Sequence, residues 1–124
     1  MMPLEKQVCS IELSKRLKEL GVPQESAFYW EKSPYQDGWS LFKNEEEHRM
    51  QPNCAAFTVA ELGEMLRGRD WSGGIVPSHC WARCHELPEG QRVFEASSEA
   101  DARAKMLIYL IEQGIIKPQE SEAR

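Results

Sequence analysis

Apolar residues along this chain follow two periods, and the changes between them mark its elements. Leu13, Leu17 and Leu20 recur at the i, i+4, i+7 spacing of one helix face, with Lys15, Arg16, Lys18 and Glu19 largely off that stripe. The spacing predicts a helix over Ser10 to Leu20, with the Ser10 hydroxyl placed to accept a backbone N–H at its start. Gly21 suits a left-handed stop, and Pro23 prevents continuation. From Ala27 to Lys32 the period shortens to two: Phe28 and Trp30 share one face, Tyr29 and Glu31 the other. Asp37-Gly38 supplies the positive φ angles of a turn over Ser33 to Gly38, and Trp39 to Lys43 reads as the returning strand. Asn44 to Asn53 is charged, contains proline and reads as a loop; its run Glu45-Glu46-Glu47 is a solvated edge.

The second half repeats this order. Thr58-Val59-Ala60-Glu61 fits a capping box, in which the hydroxyl serves one helix-end donor and the glutamate reaches back to another. Val59, Leu62, Met65 and Leu66 form the buried stripe, and Gly68 is the stop. Trp71-Ser72-Gly73-Gly74 reads as a flexible connection with one aromatic anchor. His79 to Glu86 and Arg92 to Ala96 read as a strand pair around the turn Leu87-Pro88-Glu89-Gly90. Ser97 or Ser98 caps a last helix running to Gln113, with Glu99 and Asp101 near its positive end. Ala100, Ala104, Leu107, Ile108, Ile111 and Ile115 give that helix a wide apolar arc, extended by Met106, Tyr109 and Leu110. Asp101, Lys105 and Glu112 cluster opposite. Arg103 falls inside the edge of the arc, so it must snorkel or find an acid such as Glu99, one turn earlier.

The order is α-β-β-α-β-β-α. This is an α+β pattern, read as a single domain over residues 1–124 with flexible ends at 1–7 and 117–124. The two hairpins are expected to join as one antiparallel sheet with helices packed mainly on one face.

Composition narrows the function classes. The 124 residues are 41% hydrophobic and 28% charged, as in an ordinary folded domain. The net charge of −5 argues against a non-specific grip on nucleic acid and against an anionic membrane surface. No stretch approaches a membrane span, and MMPLEKQVCS lacks the apolar core of a signal peptide. The expected setting is therefore the cytoplasm, with Cys9, Cys54, Cys80 and Cys84 as reduced thiols.

Three segments carry a resemblance. Val8-Cys9-Ser10-Ile11-Glu12-Leu13-Ser14-Lys15-Arg16-Leu17-Lys18-Glu19-Leu20-Gly21-Val22, continuing through Glu25-Ser26-Ala27-Phe28-Tyr29-Trp30, is the first. Ala56 to Leu66 (AFTVAELGEML) and Glu99 to Glu112 (EADARAKMLIYLIE) are the others. Together they resemble a family of small uncharacterised proteins encoded by bacteriophages and bacterial genomes. The likeness covers the helices and the first strand, about half the chain. It implies a cytoplasmic protein of phage or prophage origin and carries over no activity, cofactor or catalytic residue.

The densest chemical cluster is His79-Cys80-Trp81-Ala82-Arg83-Cys84-His85. Four possible ligands in seven residues invite a zinc reading, but the spacing lacks the short knuckle plus distant pair of a structural site. On a strand, Cys80 and Cys84 share a face roughly 13 Å apart at about 3.3 Å per residue, while His79 and His85 point the other way. A Cys–His nucleophile, with Cys80 or Cys84 activated by His48, His79 or His85, has no sequence sign of an oxyanion hole or orienting carboxylate. Gly73-Gly74 lacks the pattern of a phosphate-binding loop. The first hairpin concentrates Phe28, Tyr29, Trp30, Tyr35, Trp39 and Phe42. One face should be core; the other could be an exposed platform, with Tyr29, Glu31, Tyr35 and Trp39 as its candidate residues.

The expectation is a non-enzymatic accessory or regulatory protein acting through contact with a protein partner, without cofactor, metal or membrane. A Cys/His metal-binding or enzymatic module around His79, Cys80, Cys84 and His85 is the alternative, and nucleic-acid binding a second one. The broad apolar face of the last helix also suits contact with a second copy, as in a homodimer.

Overall fold

The computed structural model of the chain describes residues 3–32, 38–43, 53–85 and 93–118. Among the described residues, three helices and six strands follow a 3-10 turn at Leu4–Lys6: α1 (Ile11–Glu19), β1 (Phe28–Lys32), β2 (Trp39–Lys43), β3 (Asn53–Ala55), α2 (Val59–Met65), β4 (Trp71–Val76), β5 (His79–Cys84), β6 (Val93–Ala96) and α3 (Glu99–Glu112). The α+β class holds, but the expected single sheet does not. The strands form two separate three-stranded antiparallel sheets, ordered β2-β1-β3 and β4-β5-β6.

The difference comes from two strands with weak local signals. Asn53 opens a strand instead of ending a loop: β3 pairs with the free edge of β1, setting Tyr29 opposite Ala55 and Trp30 opposite Cys54. Trp71-Ser72-Gly73-Gly74, expected as a flexible connection, is most of β4, paired residue by residue with β5 from Trp71↔Cys84 to Val76↔His79. Glycine is a poor strand former, so β4 is held by its partner and not by its own propensity. The apparent repeat is also only an order of elements. The first sheet has its first strand in the middle, whereas the second is a simple meander. The expected turns around Ser33 to Asp37 and Leu87 to Gly90, and the charged loop from Asn44, lie outside the described residues.

The helix signals translate closely. Thr58 and Glu61 make both arms of the capping box: Glu61 N–H donates to Thr58 Oγ1 at 3.1 Å, and Thr58 N–H donates to Glu61 Oε1 at 2.9 Å. Ser98 caps α3 by accepting from Asp101 N–H at 3.2 Å. Gly21 (φ +92°) and Gly114 (φ +76°) take the left-handed conformation just past α1 and α3. Ser10 does sit at the N-cap of α1, but its hydroxyl makes no cap bond. Its backbone N–H instead donates to Asp101 Oδ1 at 2.7 Å. A carboxylate in the first turn of α3 thereby serves the start of α1.

Helix α3 is the centre of the molecule. Eight of its fourteen residues are buried, from Ala100 to Ile111, and its main neighbours are β5, β6, α2 and α1. It therefore covers the second sheet and packs against both other helices, where a sheet shared by two hairpins was expected. The alanines at 100, 102 and 104 let these elements approach its first turns closely. Arg103 finds three contacts at the arc's edge. Its guanidinium donates to the Val59 carbonyl at 2.7 Å, lies 3.7 Å from Glu99, and stacks 4.9 Å from the Trp71 ring centroid. Buried residues of all three helices and both sheets form one contiguous cluster.

Candidate docking face of the second sheet

Two of the four residues expected on an open face of the first hairpin are buried. Tyr29 is 2% exposed and Glu31 5% exposed, so neither belongs to an open platform. The extra strand β3 pairs the second edge of β1 and makes it the central strand of its sheet. Tyr29 joins the core and its hydroxyl donates to the Gln24 carbonyl at 2.6 Å. The opposite face meets α1: the Trp30 indole N–H donates to the Cys9 carbonyl at 3.0 Å, and the Lys15 ammonium lies 4.8 Å from the Trp39 ring. Trp39 is half-buried there, in a shallow depression with Lys15, Lys18 and Cys54. Tyr35 lies outside the described residues, as does His48.

The Cys/His segment is strand β5. Alternation along it sends Cys80, Ala82 and Cys84 toward α3 and the core, while His79, Trp81 and Arg83 line the other face. His85, one residue past the strand, stays on that outer side, with Nε2 2.9 Å from Ser72 Oγ. Cys80 and Cys84 are thus separated from both histidines by the sheet itself. Among the described residues no group of three or more His, Cys, Asp and Glu is assembled to hold a metal ion. All four cysteines are free and buried. Burial pushes the Cys9 thiol from 9.0 up to about 12, outweighing the Ser14 hydroxyl 2.9 Å away. Burial also raises the Cys54 thiol, against the opposing pull of Lys18 and Lys15. Such thiols are poor nucleophiles at neutral pH. Ser72 and His85 stand at nucleophile–base distance, in a solvent-exposed contact.

What the segment builds is an outer face. Register places Trp81 between Gly74 of β4 and Glu95 of β6, and Arg83 between Ser72 and Val93. The Trp81 indole covers Gly74, whose missing side chain leaves it room: a Cβ there would sit 3.1–3.3 Å from the ring. The indole is thereby laid flat along the sheet. His79, Trp81, Arg83, Val93 and Glu95 enclose a shallow groove of about 310 Å³. His79 Nε2 lies 3.2 Å from the Glu95 carboxylate at one end. At the other end the Arg83 Nε is shielded from solvent and has no hydrogen-bond partner among the described residues. A sheltered donor without an acceptor costs on the order of 1–3 kcal/mol until something satisfies it. Val93 (42% exposed) and Val76 (37%) flank the groove as open apolar surface.

The cysteines and histidines of the segment mask this face in the sequence. The usable signal was the alternation of His79, Trp81 and Arg83 with small residues at Cys80, Ala82 and Cys84, together with Gly-Gly on the neighbouring strand. No helix among the described residues is long and apolar enough to cross a membrane. Comparison with family models, curated proteins and solved structures yields no match to this chain.

Proposed function

We propose that this is a non-enzymatic accessory or regulatory protein that works by docking a protein partner on the outer face of its second sheet. The observation that carries the reading is the groove itself: an indole held flat over glycine, flanked by valines, beside an arginine whose Nε has no acceptor among the described residues. That combination suits a partner segment presenting an apolar side chain to Trp81 and a carboxylate to Arg83. Aromatic and arginine side chains are the usual anchors of protein interfaces, and a carboxylate pairs with guanidinium through two parallel bonds. The burial of all four thiols and the solvent-exposed setting of the Ser72–His85 pair favour a binding role over catalysis. The resemblance to small phage-encoded proteins supports a partner drawn from the cytoplasm of a bacterial host.

The test is quantitative capture from host lysate with three baits: the wild type, Trp81→Ser and Arg83→Ala. A partner retained by the wild type should fall at least tenfold with either variant, while circular dichroism and the melting temperature show both variants folded. Retention unchanged by both substitutions would remove this face from consideration.

A further inference from the structure

We infer that strand β4 pairs with β4 of a second copy, through a two-fold axis at Gly73, to make a six-stranded antiparallel sheet. The inference is independent of the groove around Trp81 and concerns the edge of the same sheet.

The phase of the β4–β5 ladder fixes which backbone groups are free. His85 N–H donates to the Asp70 carbonyl at 2.7 Å, so Asp70 and the residues alternating with it, Ser72, Gly74 and Val76, direct their N–H and C=O groups toward β5. Trp71, Gly73 and Ile75 direct theirs outward. Nothing among the described residues accepts from or donates to those outward groups, since β4 has a strand on one side only. Edges of this kind are normally blunted by charge, proline or a covering element. From Trp71 to Val76 this one has no charged residue and no proline, and Ile75 stands 62% exposed.

The occupant follows from self-complementarity. Antiparallel pairing of two copies must set outward residues opposite outward residues, and the register that uses all three sets Gly73 opposite Gly73 and Trp71 opposite Ile75. Directly opposed residues share a sheet face. Each exposed isoleucine therefore lies against the other copy's half-buried indole, twice per dimer. Ser72 meets Gly74 on the other face, and Asp70 meets Val76, so no like charges are opposed. Gly73 puts no side chain on the axis, where two copies come closest. A heterologous strand could satisfy the three backbone pairs; a second copy satisfies them and also sets an indole against an isoleucine at both ends of the pairing. The two grooves then lie on one continuous sheet.

Sedimentation velocity from about 10 µM to about 1 mM reads the association, since a single strand pair buries a small interface and dimerises weakly. The wild type should pass from monomer to dimer in that range. Ile75→Asp, a change at an exposed side chain that leaves the ladder to β5 intact, should weaken association at least tenfold. Amide exchange by NMR tests the register: the N–H groups of Trp71, Gly73 and Ile75 should gain protection as concentration rises, while those of Ser72 and Gly74 stay protected throughout. A wild type that remains monomeric at the highest concentration overturns the inference. So does a dimer in which the Gly73 amide exchanges at a rate independent of concentration, which would place the contact elsewhere.

Discussion

Removing the Glu61 side chain should cost far more than its position on a helix surface implies. Besides closing the capping box with Thr58, its carboxylate accepts from the Ser26 hydroxyl at 2.7 Å and from Ala27 N–H at 3.0 Å. Ser26 is buried, and its hydroxyl is also within 3.1 Å of the Ala56 carbonyl. Glu61 thus joins the start of α2 to the entry of β1. The capping arm contributes about 1 kcal/mol, the charge-assisted bond from buried Ser26 about 1.5, and the more exposed Ala27 bond about 0.5. Glu61→Ala should therefore destabilise the fold by about 3 kcal/mol. Glu61→Gln keeps one oxygen for Thr58 and Ser26 but turns an N–H₂ toward the Ala27 N–H, so it should lose about half as much. Urea unfolding followed by tryptophan fluorescence measures both. With a slope near 1.5 kcal/mol per molar, typical for this size, the midpoint should fall by about 2 M and 1 M respectively. A double-mutant cycle with Ser26→Ala should return a coupling near 1 kcal/mol. If Glu61→Ala shifts the midpoint by less than about 0.5 M, or matches Glu61→Gln, the carboxylate is not the tie described.

Gly73→Ala should cost about 1–3 kcal/mol in thermal unfolding, because a Cβ there meets the Trp81 carbonyl oxygen, a backbone atom, at 2.9 Å. Gly74→Ala should cost less, since the Trp81 ring that it crowds can shift; equal losses would show that the ring is as fixed as the backbone. Arg103→Met should cost about 2 kcal/mol by stranding the Val59 carbonyl and removing the stack on Trp71, and Arg103→Lys should recover only part of this. Cys9 predicts a pH dependence of stability. Its thiol ionises near 9.0 when unfolded and near 12 when folded, so above pH 9 the unfolded state binds fewer protons and stability falls as pH rises. Relative to Cys9→Ala, the wild type should lose about 1.4 kcal/mol by pH 10, and a curve parallel to the variant's would refute the burial of this thiol. The same burial predicts that a thiol reagent leaves Cys9 unmodified at pH 8 until urea unfolds the chain.

The sequence by itself determined the three helices, the N-caps of two of them and most of the strand positions. Those features depend on local periodicity and on side chains that act within one turn: leucines four apart, threonine and glutamate three apart, glycine after the last turn. It also determined that the cysteines and histidines of His79–His85 face apart, because a strand alternates whatever it packs against. The tertiary structure decided everything that depends on a partner strand. Asn53–Ala55 and Trp71–Val76 have little propensity of their own and are strands because β1 and β5 offer hydrogen bonds to them. Those two pairings split one expected sheet into two. They made β1, which carries the buried Tyr29 and Glu31, a central strand, and they laid Trp81 over Gly74 on the second sheet's outer side. Asp101 shows the same division in one residue. Its place in the first turn of α3 was legible from the sequence, whereas its bond to Ser10, 91 residues earlier in the chain, exists only because α1 and α3 pack together.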